Sequence, residues 1–150
     1  MEAVILMGLQ ASGKSTFCKQ RFFDTHVRIN LDMLKTRNRE RRLLHVCLDM
    51  GQPLVVDNTN PRRKDRQRYI PAAKPAGFRV VGYYFRSRVE ECVRRNDSRR
   101  EPDRIPEAGI RATHDKLEPP RFDEGFDELY HVKIVDRGEF VVEGWSDEAG

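Results

Sequence analysis

The run Gly8-Leu9-Gln10-Ala11-Ser12-Gly13-Lys14-Ser15 constrains this chain more than any other stretch. It follows the apolar segment Ala3 to Met7 and opens a stretch, Lys14 to Phe22, that can be helical. A strand, a glycine-rich turn and a helix in that order turn backbone N–H groups and the positive end of a helix dipole toward phosphate oxygens. The spacing therefore predicts a phosphate-binding loop, or P-loop. In it Gly8, Ser12 and Gly13 shape the cradle, Lys14 bridges the β- and γ-phosphates of a nucleoside triphosphate such as ATP, and Ser15 holds Mg²⁺. Thr16 is placed either to assist at the α-phosphate or to cap the helix.

The rest of the chain alternates in the way such a loop needs. Ala3 to Met7, Val27 to Asn30, Leu54 to Asp57, Val80 to Phe85 and Tyr130 to Val135 are short β-rich runs. Between them, Lys14 to Phe22, Arg39 to Met50, Arg62 to Ala73, Val89 to Arg99 and Pro106 to Lys116 can each supply a helix. The expectation is an α/β fold: one P-loop kinase domain over residues 1–150, with a central parallel sheet, flanking helices and a helical lid. The small and acidic residues after about 145 are expected to fray.

In an open α/β sheet ligands gather beyond the carboxyl ends of the strands. Two carboxylates stand there. Asp32 follows Val27-Arg28-Ile29-Asn30-Leu31 and can take the proton of an attacking alcohol, although Asp is also a favoured cap for a following helix. Asp57 follows Leu54-Val55-Val56 and is placed to hold Mg²⁺ through water. Thr59 faces the same cleft, and Asn60 is expected to cap a helix beginning at Pro61.

Arginines supply the opposite charge. Val89, Cys92, Val93 and Asn96 form a helical stripe that leaves Arg95 and Arg99 near the solvent edge, before a charged stretch, Arg99 to Arg104, expected to be mobile. Either arginine can stabilise charge on a transferring phosphoryl group, and solvated arginines at a helix C-terminus are the bland alternative. Arg62, Arg63, Lys64, Arg66 and Arg68 crowd another segment, where like charges at helical spacing call for an anionic partner. A nucleic-acid backbone gripped by Arg62 and Arg66 answers that need; a solvated face is the competing reading.

The formal charge of +4, from 28 Lys and Arg against 24 Asp and Glu, permits a polyanionic partner without requiring one. Cys18, Cys47 and Cys92 lack metal-ligand spacing and read as buried thiols. The apolar run ended by Gly8 is too short for a membrane span and lacks a signal peptide's basic start, so a cytoplasmic protein without membrane contact is expected.

With these residues assembled, the chain resembles the polynucleotide 5′-kinase family, including the kinase domains of phage and animal polynucleotide kinase/phosphatases. Gly8 to Phe17, Val55-Val56-Asp57-Asn58-Thr59-Asn60-Pro61, and Arg95-Asn96 to Arg100 followed by Ile105-Pro106 carry the resemblance. It implies Lys14 and Ser15 at phosphates and metal, Asp32 as the base on the 5′-hydroxyl of a DNA or RNA end, and a lid arginine, Arg99, at the donor phosphates. It also implies an acceptor-side group of Asp32, Lys35, Asp57, Thr59, Arg62 and Arg66. Where the phage enzymes use an arginine three positions after the base, this chain has Lys35, which brings charge without a bidentate fork. No Asp-x-Asp-x-Thr string occurs, so kinase activity alone is expected. Two other readings stay open: a P-loop kinase for a small alcohol or aminoacyl-tRNA, and a nucleotide-binding ATPase module with no phosphoacceptor.

Overall fold

A computed structural model describes residues 1–86 and 88–146. Its elements run β1 (Glu2–Met7), α1 (Lys14–Phe22), β2 (Val27–Ile29), α2 (Leu31–Leu34), α3 (Arg37–Met50), β3 (Leu54–Asp57), α4 (Arg63–Arg66), α5 (Ile70–Ala73), β4 (Arg79–Phe85), α6 (Val89–Asp97), α7 (Glu107–Lys116), β5 (Glu128–Ile134) and β6 (Phe140–Gly144). The strands form one sheet in the order β2-β3-β1-β4-β5-β6, parallel except for β6, which returns antiparallel to β5. The fold is the expected α/β kinase architecture, with a sixth strand, Phe140–Gly144, beyond the five expected from the sequence.

Both sheet faces are buried, and the strand period of two divides the core. Ala3, Ile5, Met7, Ile29, Leu54 and Val56 face α3 and α5, where Leu44, Cys47, Leu48, Ile70 and Ala73 complete one layer. Val4, Leu6, Val55, Val81 and Phe85 face α1, where Phe17, Cys18 and Phe22 complete the other. A third apolar cluster joins Leu9 and Ala11 of the P-loop to Val89 and Cys92 of α6 and Ile110 of α7. The variable positions of the phosphate motif thus pack against α6 and α7.

Several local expectations are corrected. The segment Arg62 to Ala73 is two short helices, because Tyr69 turns its ring into the core between them. Asn60 caps no helix: it takes a left-handed φ of 45° and its amide donates to the carbonyl of Leu6 at 2.8 Å, tying the end of β3 to β1. The stretch Arg99 to Arg104 holds a short 3₁₀ turn, Glu101–Asp103, flanked by reciprocal hydrogen bonds between the Asn96 amide and the backbone of Ile105, and its expected mobility stands as an expectation. Trp145 packs edge-on to Tyr84 at 5.5 Å between ring centres, so the fold continues through 145; residues 147–150 of the expected frayed tail lie outside the described residues.

Candidate active site

The P-loop is built by three unusual backbone positions. Gly8 (φ 152°), Ala11 (φ 62°) and Gly13 (φ 99°) bend the chain from β1 into α1. At Gly13 a Cβ would also come within 2.9–3.0 Å of Ile134 and Phe140, so glycine is needed there for conformation and space together. The Gly8 N–H donates to the Thr59 carbonyl at 2.9 Å, which joins the loop to the segment after β3.

Lys14 is only 7% exposed, and its ammonium donates to the carbonyls of Gly8 (2.9 Å) and Leu9 (2.6 Å) and to Ser12 Oγ (3.4 Å). Burial pushes its pKa down from 10.5 to about 8, against the opposing pull of Asp57. The Ser15 hydroxyl donates to Asp57 Oδ2 at 2.9 Å, and Arg28 Nε donates to the same oxygen at 2.9 Å. Ser15 and Asp57 are hard oxygen donors converging on one point, which suits Mg²⁺. Among the described residues no cluster of three or more His, Cys, Asp or Glu side chains is placed to hold a metal unaided.

A cleft of about 480 Å³ opens above this pair. Gly13, Lys14, Ser15 and Thr16 line its P-loop end, Asp32 and Arg62 stand elsewhere on its wall, and Asp57, Thr59 and Arg99 also border it. Asp32 is exposed and caps nothing, since Asn30 caps α2 through Met33 N–H and Thr36 caps α3 through Arg39 N–H. Thr16 is likewise no cap; the position before α1 is Gly13. Arg37, Thr113 and Lys116 border the cleft as well and were missed in the sequence. The signal for Arg37 was present in Arg37-Asn38-Arg39-Glu40-Arg41-Arg42, a basic start to α3 directly after Asp32.

Five expected site residues stand elsewhere. Gly8 and Ser12 support the loop from below without lining the cleft. Lys35 is exposed outside the cleft, its backbone closing α2 at a positive φ of 75° with its N–H on the Leu31 carbonyl. Arg95 lies against the loop, donating to the Ala11 carbonyl at 3.3 Å, with Glu91 at 3.6 Å.

Arg66 is the firmest correction. It is fully buried, with Nε and Nη2 donating to Glu124 at 2.8 and 2.9 Å and Nη1 reaching the carbonyls of Asn60, Pro61 and Glu118. No acceptor phosphate can reach it. Its neighbours find acids within the chain too: Arg62 and Arg68 share Asp65, and Arg63 pairs with Asp123 at 2.8 Å. Burial alone would raise the Asp65 carboxyl, but hydrogen bonds from Arg62 outweigh it and hold the pKa below the usual carboxylate range. Cys18, Cys47 and Cys92 are buried, and burial raises all three thiols, Cys18 to about 11.

Comparison with known proteins bears on the family and the fold. Residues 30–120 match the family described as an AAA domain. The bifunctional polynucleotide phosphatase/kinase of Schizosaccharomyces pombe is 28% identical over 136 residues, which cover 87% of this chain and 33% of that protein. The chain spans about a third of the length of the curated relatives it matches. A chain in the Pnkp1/Rnl/Hen1 RNA repair complex superposes with a TM-score of 0.65 at 25% identity, covering 77% of this chain and 43% of that one. Kti12 of Chaetomium thermophilum, solved with ADP-AlF3, shares the fold at a TM-score of 0.68 and 16% identity, covering 89% of this chain and 90% of its own. Among the described residues no helix is long and apolar enough to cross a membrane. The chain belongs to this AAA domain family, as a P-loop kinase domain related to the polynucleotide kinases.

Proposed function

We propose that this domain transfers the γ-phosphate of ATP to the 5′-hydroxyl of a DNA or RNA end. The observation that carries the reading is that one cleft holds Lys14, Ser15 and Arg99 together with the uncapped carboxylate of Asp32. The relatives named polynucleotide phosphatase/kinase support the choice of acceptor.

In this mechanism Lys14 leaves the loop carbonyls for the β- and γ-phosphates, and backbone N–H groups at the start of α1 orient them. Ser15, and Asp57 through water, would hold Mg²⁺, which when bound would neutralise charge on the phosphate chain. Asp32 accepts the hydroxyl proton as the oxygen attacks. Arg99 stabilises the charge spread over the equatorial oxygens. Thr59 and Arg62 border the acceptor, with Arg37 taking the role expected of Lys35.

The test is incubation with γ-labelled ATP, Mg²⁺ and a panel of 5′-hydroxyl acceptors. Labelled oligonucleotide ends are expected. Equal labelling of a free nucleoside or sugar, insensitive to salt, would make the domain a small-alcohol kinase. ATP turnover with no labelled acceptor would make it an ATPase module.

A further inference from the structure

The Asp57 carboxylate already carries a cation. Asp57 is 2% exposed, and its Oδ2 accepts from Ser15 Oγ at 2.9 Å and from Arg28 Nε at 2.9 Å, with Arg28 Nη2 in ion-pair contact at 2.8 Å. Nη2 also lies 3.5 Å from Ser15 Oγ. Arg28 is the middle residue of β2, and its side chain reaches the α1 side of the sheet while Ile29 joins the core on the other. Its side chain is 39% exposed, so it enters from the rim and can leave by the same route. It lines a neighbouring cavity with Ser15, Cys18, Lys19 and Phe22 and does not border the catalytic cleft.

A buried carboxylate without a counter-charge is costly, and a guanidinium can cover it through several donors at once. The Ser15 and Asp57 oxygens that it covers are those a divalent cation needs. A cation arriving alone must displace Arg28 and sit beside its charge. A cation arriving on a polyphosphate brings excess negative charge, which compensates the site and offers Arg28 new acceptors.

We propose that Arg28 is a positioning residue that occupies the metal subsite of the free protein, so that a divalent cation enters only in company with the nucleotide. The inference rests on the reading of Ser15 and Asp57 as the metal-holding pair.

Mn²⁺ binding to the intact chain, followed by electron paramagnetic resonance with and without ADP, tests it. Wild type should bind Mn²⁺ alone at least about tenfold more weakly than Mn²⁺ with ADP. Repulsion between the guanidinium and a divalent ion at the same oxygen, relieved in part because Arg28 can leave by the rim, sets that factor at about tenfold. Arg28→Ala and Arg28→Gln should therefore bind Mn²⁺ alone about tenfold more tightly than wild type. Mg²⁺ alone should raise the Tm of these variants and leave that of wild type unchanged, a rescue that a merely structural arginine would not produce. Variants as weak as wild type toward free Mn²⁺ would overturn the proposal. So would a wild type indifferent to ADP, a comparison that needs no variant to fold. Asp57→Asn separates the two readings: if it leaves Mn²⁺–ADP binding intact, the metal assignment fails with everything built on it. If it abolishes that binding while the Arg28 variants behave as wild type, only the role of Arg28 falls.

Discussion

The P-loop and the basic segment from Arg62 to Arg68 are both dense in charge or glycine and both face the region after β3, yet they work in opposite ways. In the P-loop, Lys14, Ser15 and the backbone that aims them lie within a few residues of one another, and the cleft opens directly above them. In the basic segment each arginine acquires its meaning from an acid elsewhere: Arg66 from Glu124, Arg63 from Asp123, Arg62 and Arg68 from Asp65. A local motif carries its own partners. A run of like charges does not, and the anion it calls for can be another part of the same chain.

The sharpest way to break this contrast is Lys14→Ala, which should bring phosphoryl transfer to every acceptor down to background while the variant stays folded by circular dichroism. A folded variant with near-normal turnover would remove the functional half of the comparison. Asp32→Asn follows, with a loss of about 10²–10⁴ in acceptor phosphorylation if the carboxylate takes the proton, and little change in ATP affinity. Equal losses in binding and turnover would point to a structural or metal role.

On the other side, Arg66→Ala strands Glu124 in the core and should lower stability by about 3–5 kcal/mol in urea unfolding. Arg62→Ala leaves Asp65 with Arg68 and should cost no more than about 1 kcal/mol. Its expected signature is kinetic: a higher KM for an oligonucleotide and a salt dependence of kcat/KM shallower by about 0.7 per lost phosphate contact on a single strand. If Arg62 and Arg66 exchange these phenotypes, the division between cleft and core has been drawn in the wrong place.

The smallest effect is a pH dependence with two signs. The pKa of Lys14 lies at about 8 in the folded protein against 10.5 ordinarily, so between these values the unfolded chain holds more protons and the stability of the nucleotide-free protein rises with pH. Nucleotide binding needs the charged ammonium, so ATP affinity should fall as pH rises past about 8, by at most about tenfold per unit, with a proton taken up on binding. Calorimetry in buffers of different ionisation enthalpy measures that proton. No uptake at pH 9 would mean that Lys14 is not the group that meets the phosphates.

What could be read in the sequence follows the same division. Strand positions and the order of helices were legible because apolar runs, glycines and the phosphate motif are local signals. The buried pairing of Arg66 was not, because Glu124 lies far along the chain in a charged stretch that reads as surface. Asn60 looked like a cap because Pro61 follows it, but a carbonyl of β1 lay closer. The strand β6 was missed because Phe140-Val141-Val142 is short and flanked by Glu139 and Glu143, and only pairing with β5 makes it a strand.

The contact of Gly13 with Ile134 and Phe140 has a consequence for how the molecule is made. The residues of the cradle are synthesised about 120 positions before the side chains against which Gly13 rests. The strand that carries the cradle, β1, is also central, bonded to β3 and β4 and not to its neighbour in the chain. Contacts over such separations form late and slowly. A nascent chain therefore carries the whole phosphate motif long before it can support it, and nucleotide cannot template the early stages of folding. If the cradle needs the β5–β6 hairpin behind it, nucleotide retention by stalled nascent chains of increasing length reports when that hairpin pairs.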